Sequence, residues 1–543
     1  MRGYNTTGEF IAALEMAGEL VRIKAEVDPD LEITEIATRV MRKYGPALLF
    51  ERVKGSKMPL LINAYGSYRR MAMAFGVESL DEISERITSL IEIKAPTSFK
   101  ESLKMLPQLA QVRKFPPRTS KNAPCQQIVL KGADVDLGLL PIIKCWPEDG
   151  GKFITLPQVI TSNPETGNQN LGMYRMQLID RNTTFLHSQT HHDTARHLRL
   201  YRERGITRVP CAVAIGGASV STYAATAPMP PELDEWILAG FLREEPIELV
   251  KAIESDLKVP AQADIILEGY IDLEDVRLEG PFGDHTGFYT LRDDYPTFHV
   301  TTMTMRSDAV YCTTIVGQPP KEDYFLGKAT ERIFLNILKK TVPEIVDMNL
   351  PIFGVFHNFC FVSIRKEYPY HARKVMNALW GLGQMSLTKY IVIVDSDVDV
   401  QNTDTVMFYV GANVDPQRDM QFIRGPIDVL DHASDMTGIG SKLGIDATRK
   451  WKSEGFPREW PKELEMTPDM MSKVTARWAE YGLPAELRGT ESLNRRGVLR
   501  EDYAQGSGGG RIGTISSPGA QEERDGRDDG TGGTTQGPDG SAM

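Results

Sequence analysis

A chain of 543 residues is too long to bury around one hydrophobic core, so its length predicts three folded units with room for a tail. Apolar residues at 41% and charged residues at 25% are ordinary globular values and exclude wholesale disorder or a fibre. The net charge of -11 comes with no Lys/Arg-rich run interleaved with aromatics, which excludes a nucleic-acid groove.

The start, Met1-Arg2-Gly3-Tyr4, has no apolar signal core. No later stretch approaches the roughly 20 uninterrupted apolar residues that span a bilayer, so a cytoplasmic protein without a transmembrane segment is expected. Cys125, Cys145, Cys211, Cys312 and Cys360 are odd in number, far apart and free of any Cys-x-x-Cys pair. They indicate buried thiols, not a disulfide framework or a cysteine zinc site.

Thr6 and Glu9 stand at capping-box spacing, and Phe10, Ile11 and Leu14 recur on one face, which predicts a helix over residues 6–21. Leu80, Ile83, Ile87 and Leu90 predict a second helix, with Leu48-Leu49-Phe50 and Leu60-Leu61-Ile62 as short strands between the two. The basic, Pro-containing stretch 101–120, ending in Pro116-Pro117-Arg118, suits a connector. From about 121 to 320 the pattern is β-rich, with runs at 154–162, 173–180, 211–215, 264–271, 298–305 and 309–316 assigned to one sheet system of barrel or sandwich type. Asn163-Pro164-Glu165-Thr166-Gly167 is a turn there, and one helix, near 232–243, interrupts the strands.

After residue 325 helical periodicity returns with Ile333, Phe334, Ile337 and Leu338. A strand, a helix near 371–380 and the apolar strand Ile391-Val392-Ile393-Val394, ending in Asp395, then predict a parallel α/β unit. Beyond about residue 505 the chain is roughly one-third Gly with almost no bulky apolar residue, so it cannot repay the entropy of ordering and a disordered tail is expected. No internal repeat is visible.

Polar groups concentrate in three places within the β-rich unit. In Asn170-Leu171-Gly172-Met173-Tyr174-Arg175 an ideal strand would send Asn170 and Arg175 to opposite faces, unless Asn170 lies in the preceding turn or a bulge at Gly172 turns the backbone. An Arg here could clamp a carboxylate bidentately; a turn Asn and a barrel-surface Arg stay open. His187-Ser188-Gln189-Thr190-His191-His192-Asp193 is a candidate metal site, although adjacent His side chains on a strand diverge. The β context argues against a helical pairing of His187 with His191.

The third place is Glu279-Gly280-Pro281-Phe282-Gly283-Asp284-His285-Thr286-Gly287. Its Gly and Pro turns can make two carboxylates five residues apart converge. Convergence would push one carboxyl towards its protonated form and let it deliver a proton near neutral pH, while an acidic surface turn stays open. Glu235, on the helix after Met229-Pro230-Pro231, does not stand out by itself. Gly438-Ile439-Gly440-Ser441-Lys442-Leu443-Gly444 lacks the P-loop spacing, although a lysine flanked by glycines could approach a phosphate.

From near the N-terminus to about residue 495 the sequence resembles the UbiD family of prenylated-flavin decarboxylases. The stretch 170–175 resembles the family's Asn-x-Gly-x-Tyr-Arg strand, and 279–287 its Glu-Gly-Pro-Phe-Gly-Asp-His-x-Gly loop. Phe356-His357-Asn358, residues 368–389 and 428–434, and the stretch 440–448 fit its C-terminal third. With the periodicities, the resemblance implies an α+β multidomain fold. It comprises an N-terminal α/β domain over 1–120, a central split β-barrel domain for prenylated FMN and metal over 121–325, a C-terminal α/β oligomerisation domain over 326–500 and a disordered tail over 501–543.

The resemblance implies further that Asn170, His191 and Glu235 hold a divalent metal, Mn2+, with K+ as a candidate second ion. Met173, Tyr174 and Arg175, with His187, Ser188, Gln189, His192 and Asp193, match cofactor-binding positions, and Lys442 matches a lysine that reaches the flavin. Arg175, Glu279 and Asp284 match the catalytic triad, with Asp284 as the acid that protonates the carbon. One departure stands out: many members continue the metal His with a basic residue and two glycines, whereas His192-Asp193-Thr194 follow here. The implied activity is reversible, non-oxidative decarboxylation of an aromatic or α,β-unsaturated acid, with a hydroxyaryl precursor in ubiquinone or menaquinone biosynthesis as a candidate substrate. A separate flavin prenyltransferase would supply the cofactor, and a homo-oligomer, dimer or hexamer, is expected. The alternative is a flavin-dependent oxidoreductase on the same barrel.

Overall fold

The computed structural model describes residues 2–91, 112–189, 192–229 and 233–488. The helix Thr7–Met16 forms where its cap predicts. Thr6 Oγ1 accepts the Glu9 N–H at 3.1 Å, and the Glu9 carboxylate accepts the Asn5 N–H at 2.8 Å, one residue before the usual partner of a capping box. Phe10, Ile11 and Leu14 are buried. The helix stops well short of residue 21, because Gly18 turns into the left-handed region and a strand, Leu20–Val27, follows.

That strand runs parallel to Ala47–Val53, which pairs antiparallel with Leu60–Ile62. The fourth strand of the sheet, Tyr311–Cys312, comes from far along the chain and pairs parallel with Leu60 and Leu61. The run 309–316 therefore does not join the large central sheet as expected. A two-residue strand carries no periodicity, and only its buried Tyr311 shows which core it completes. The helix Leu80–Ile91 lies where expected, and the helices Glu32–Met41 and Tyr68–Phe75 add to the unit.

The central sheet has seven strands in antiparallel pairing. Its order is Thr183–Phe185, Asp293–Met305, Ile265–Glu279, Arg208–Ile215, Gln158–Ser162 and Gln169–Gly172, with Ile128–Lys131 also on Asp293–Met305. The long hairpin Ile265–Glu279/Asp293–Met305 is its backbone, and two register shifts, at Glu268/Gly269 and Asp272/Val276, bend it. Among the described residues no hydrogen bonds join the two outermost strands, so the sheet is open and no closed barrel forms. The run expected at 173–180 forms a strand only at Met176–Gln177, which pairs with Phe153–Ile154 in a separate two-stranded sheet, and a single bridge from Leu178 to Thr184 links it to the central sheet.

Among the described residues three α-helices, not one, interrupt the strands: Asp193–Glu203, Ser219–Ala224 and Glu235–Arg243. The first escapes a hydrophobicity count because Thr194 and His197 share its buried face with Leu198 and Tyr201.

The C-terminal unit is a five-stranded mixed sheet, ordered Ile345–Asn349, Phe359–Ile364, Tyr390–Asp395, Ile439–Asp446, Met420–Pro426. Phe359–Ile364, the helix His371–Trp380 and Tyr390–Asp395 make the expected parallel α/β unit. Of the glycine-rich segment 438–444, Gly438 ends a turn and the rest belongs to the strand Ile439–Asp446. Its glycines admit close neighbours: a Cβ on Gly444 would lie 2.4 Å from the Met376 sulfur of the covering helix. Apolar clusters cover both faces of this sheet, one with Val375 and Leu379, the other with Val406 and Tyr409.

All five cysteines are unpaired, and all but the half-buried Cys312 are buried. Among the described residues no helix is long and apolar enough to cross a membrane. The connector is described only from Val112, and the tail 501–543 lies outside the described residues.

Candidate active site

Arg175 follows the edge strand Gln169–Gly172, Glu279 is the last residue of Ile265–Glu279, and Asp284 follows the short strand Phe282–Gly283, which pairs with Tyr289–Thr290. The loop that brings the two acids round is pinned at its glycines. Gly280 N–H donates to Gln177 Oε1 at 2.7 Å and Gly283 N–H to Asp149 Oδ1 at 2.7 Å. A Cβ on Gly283 would lie 2.2 Å from the Trp146 ring, so the backbone sits directly on that indole.

The carboxylates converge on one guanidinium. Arg175 Nε and Nη2 donate to the two oxygens of Glu279 at 3.0 and 3.2 Å, Nη1 donates to Asp284 Oδ2, and Nη2 also donates to Thr290 Oγ1 at 3.2 Å. The guanidinium carbon lies 4.6 Å from the centroid of the Phe282 ring. His187 Nδ1 is 3.0 Å from Glu279 Oε2. Glu279 is fully buried and Asp284 nearly so.

This arrangement corrects the electrostatics expected from two convergent acids. Burial raises the Asp284 carboxyl, but the hydrogen bond and charge of His285, with Arg175, outweigh it and hold the group well below the usual carboxylate range. Burial of Glu279 is likewise outweighed by His187 and Arg175, so it too is lowered. The pattern of the acid loop by itself placed only the two acids together, and it was the family resemblance that set Arg175 with them.

A cavity of about 180 Å3 opens beside the cluster. Met173, Tyr174, Arg175, His187, Gln189, His192 and Asp284 line it, closed in by Phe282, Val316 and, from the C-terminal unit, Leu430. Ser188 lies on the same loop, its buried Oγ without a hydrogen-bond partner among the described residues. The strand ends at Gly172, where a Cβ would meet the Tyr174 hydroxyl at 2.1 Å. Asn170 lines a second, smaller polar recess, with Asp193, His197 and Glu235. Asn170 Nδ2 is 3.2 Å from Thr194 Oγ1 and 3.5 Å from the Tyr174 hydroxyl, which stands between the two recesses.

Glu235 begins the helix Glu235–Arg243, capped by Asp234, and accepts the Leu171 N–H at 2.9 Å. Burial pushes its carboxyl up to about 8. A buried oxygen donor in need of positive charge, beside the Asn170 amide, suits a hard divalent cation. Among the described residues no group of three or more His, Cys, Asp or Glu could hold a metal, and His191 lies outside them.

Lys442 stands apart from these residues. It projects from Ile439–Asp446, donates to the Ser386 carbonyl, and is not among the side chains lining the cavity. Sequence reasoning overlooked Gln177, Asp149, Trp146 and Thr290, which hold the acid loop. His285 and His357, which meet at 2.9 Å, stood in the sequence only as members of two family-like stretches, with no role attached to either.

Three family models match: the 3-octaprenyl-4-hydroxybenzoate carboxy-lyase N-terminal domain at residues 11–87, its Rift-related domain at 118–319 and its C-terminal domain at 324–447. An uncharacterized protein of Aquifex aeolicus (strain VF5) is 49% identical over 483 residues, 88% of this chain and 99% of its own. Among solved structures, the vanillic acid decarboxylase of Sedimentibacter hydroxybenzoicus in closed form aligns with a TM-score of 0.77 at 28% identity, over 89% of this chain and 100% of its own. An evolved dimeric form of the UbiD-class enzyme HmfF from Pelotomaculum thermopropionicum, in complex with prFMN, aligns at 0.70 and 26%, over 86% and 98%. The chain belongs to the UbiD family of carboxy-lyases. It is an enzyme of the decarboxylase class.

Proposed function

We propose that this enzyme decarboxylates an aromatic or α,β-unsaturated carboxylic acid, reversibly and without net oxidation, with prenylated FMN and a divalent metal. The observation that carries the reading is Arg175, buried between Glu279 and Asp284 at the wall of a 180 Å3 cavity. The complex of HmfF with prFMN supports the cofactor, and the split β-barrel description of the central domain goes with it. Tyr174, His187, Ser188, Gln189, His192 and Asp193 would hold the cofactor. Asn170 and Glu235, with His191, would hold Mn2+, with K+ as a second ion. Lys442 would reach the flavin only if it left Ser386. Domain limits at 120, 325 and 500 are part of the same reading.

An sp2 carbon losing carbon dioxide has no neighbouring carbonyl to take its electrons, and prenylated FMN, when bound, supplies that electron sink. The remaining work falls to side chains. A substrate carboxylate entering the cavity competes with Asp284 for Arg175 Nη1, while Glu279 keeps its two-point hold and so keeps the guanidinium oriented. Displaced from its cation and placed beside another carboxylate, Asp284 gains affinity for a proton. It can then hold that proton and give it to the carbon as carbon dioxide departs.

Vanillic acid in one structural relative and the hydroxybenzoate in the family's description support a hydroxyaryl acid, which keeps a place in quinone biosynthesis open. The strand Met420–Pro426 at the sheet edge and the largely exposed Phe422 support a homo-oligomer through the C-terminal unit. Hydride transfer would leave the Glu279/Asp284 pair without a role.

The test is to express the chain with a flavin prenyltransferase, record the cofactor's absorbance and mass, and measure carbon dioxide release from 4-hydroxybenzoate, vanillate, 3,4-dihydroxybenzoate and cinnamate. A prenylated flavin with release from one of these acids is expected. Unmodified FMN with NAD(P)H oxidation would contradict the reading. Elemental analysis should show stoichiometric metal in the wild type and its loss in Glu235→Gln.

A further inference from the structure

The Asp284 carboxylate has a second side, turned away from Arg175. Its Oδ1 accepts two N–H groups of His285, the backbone amide at 2.7 Å and Nδ1 at 2.9 Å. The far nitrogen of that ring, Nε2, is 2.9 Å from His357 Nε2. Two imidazole nitrogens at this distance share one proton, so one ring donates and the other accepts. With Nδ1–H committed to Asp284, a charged His285 must find an acceptor for Nε2–H, and His357 is that acceptor.

The contact joins two parts of the chain. His285 belongs to the acid loop of the central unit and His357 to the turn before Phe359–Ile364 in the C-terminal unit. His285 stacks on Phe356 with centroids 4.9 Å apart, and its ring meets that of His357 at 90°. The turn is strained: Val355 and Phe356 take consecutive positive φ values of 39° and 52°. Such a conformation is unfavourable in a β-branched residue and persists only where its surroundings require it.

We propose that His357 is a positioning residue for the reaction: it accepts the Nε2–H of His285, keeps that ring doubly protonated against Asp284, and so sets how readily Asp284 takes and gives its proton. This rests on the decarboxylase reading, which makes Asp284 the proton donor. The charges facing His285 are Asp284 on its own loop, Asp323 from the helix Glu322–Thr341, and Asp428; Asp428, Asp431, Asp284 and His285 face His357. Their net effect agrees with the geometry. Burial works against a charge on His285, but Asp284, Asp323 and Asp428 raise its pKa, whereas burial and the charge of His285 lower that of His357.

Removing the acceptor leaves a buried N–H on a cation unpaired, which disfavours the charged form of His285. The experiment uses the full-length holoenzyme with histidine labelled at Cε1 and both nitrogens. Ring titrations are followed by NMR in the wild type, His357→Leu and His357→Gln. Kinetics are measured with the acid that the wild type decarboxylates in the screen above.

His357→Leu is expected to lower the His285 titration by about one pH unit, equivalent to the loss of one hydrogen bond, and to lower kcat about tenfold with KM within about twofold. Cofactor content should not change. His357→Gln, whose amide oxygen can accept the same N–H, should restore most of both effects. An unchanged His285 titration in His357→Leu, or Leu and Gln variants that behave alike, would overturn the proposal. Should neither variant fold, the wild type decides alone: at pH 6 the nitrogen shifts must show His285 doubly protonated and His357 neutral with a bare Nε2. A neutral His285 there would refute it. A wild type that releases no carbon dioxide would instead refute the decarboxylase reading, while the titrations still decide whether His357 controls His285.

Discussion

Burying Arg175 with Glu279 and Asp284 fixes the sign of the cluster's response to pH. Both acids have folded-state pKa values below their ordinary ones. Each therefore contributes stability that is present above about pH 4 and is lost as the pH falls through the depressed folded value. In Arg175→Met, Glu279 loses its guanidinium while burial still pushes it up, whereas Asp284 keeps the hydrogen bond and charge of His285. The stability that Glu279 contributes near neutral pH is then weakened or lost, because a carboxyl raised by burial contributes at low pH and loses that contribution as the pH rises through its raised value. At pH 7 the variant should be less stable than the wild type by about 3 kcal/mol, the scale of a buried pair that has lost one member. Urea unfolding at pH 5 and pH 7 checks this. The deficit should shrink at pH 5, and an equal deficit at both values would mean that the cluster's charges do not interact as the geometry implies.

At the scale of elements, much was legible where a period repeats over several turns. The cap and apolar face of Thr7–Met16, the apolar face of Leu80–Ile91, the presence of the helix Glu322–Thr341 and the buried strand Tyr390–Asp395 follow from spacing alone. Asp193–Glu203 was not legible because Thr194 and His197 fill buried positions that a hydrophobic count assigns to solvent. The site was legible as three polar stretches, and the structure brings Arg175, Glu279 and Asp284 together. What could not be read was the support, since Trp146, Asp149 and Gln177 act on backbone groups of a loop more than a hundred residues away. Gly283→Ala tests that support. Its methyl would collide with Trp146, whose Nε1–H is already held by the Val316 carbonyl at 3.0 Å. A destabilisation of about 2 kcal/mol is expected from such overpacking, together with loss of carbon dioxide release while the flavin remains bound. Normal turnover in Gly283→Ala would show that the loop's position does not matter.

Across the whole molecule, the cavity is built by the central unit and closed by the C-terminal one. Leu430 lines it, His357 meets His285, and Phe288 of the acid hairpin packs on His432 with centroids 4.0 Å apart. No sequence period announces such junctions, because each is a single residue in a loop. Phe288→Ala removes one ring contact worth about 1 kcal/mol, so KM should rise about fivefold with little change in kcat. Steady-state kinetics of the loaded enzyme checks this, and an unchanged KM would show that the junction between Phe288 and His432 does not shape the cavity.

On the proposed reading Asp284 protonates the carbon that loses its carboxylate, and running the loaded enzyme on its acid in D2O, with carbon dioxide release and product mass measured for the wild type and Asp284→Asn, checks that claim. The wild type should place one deuterium at that carbon, and Asp284→Asn should retain its flavin while losing about a thousandfold in turnover. Deuterated product formed by Asp284→Asn at the wild-type rate would contradict the claim.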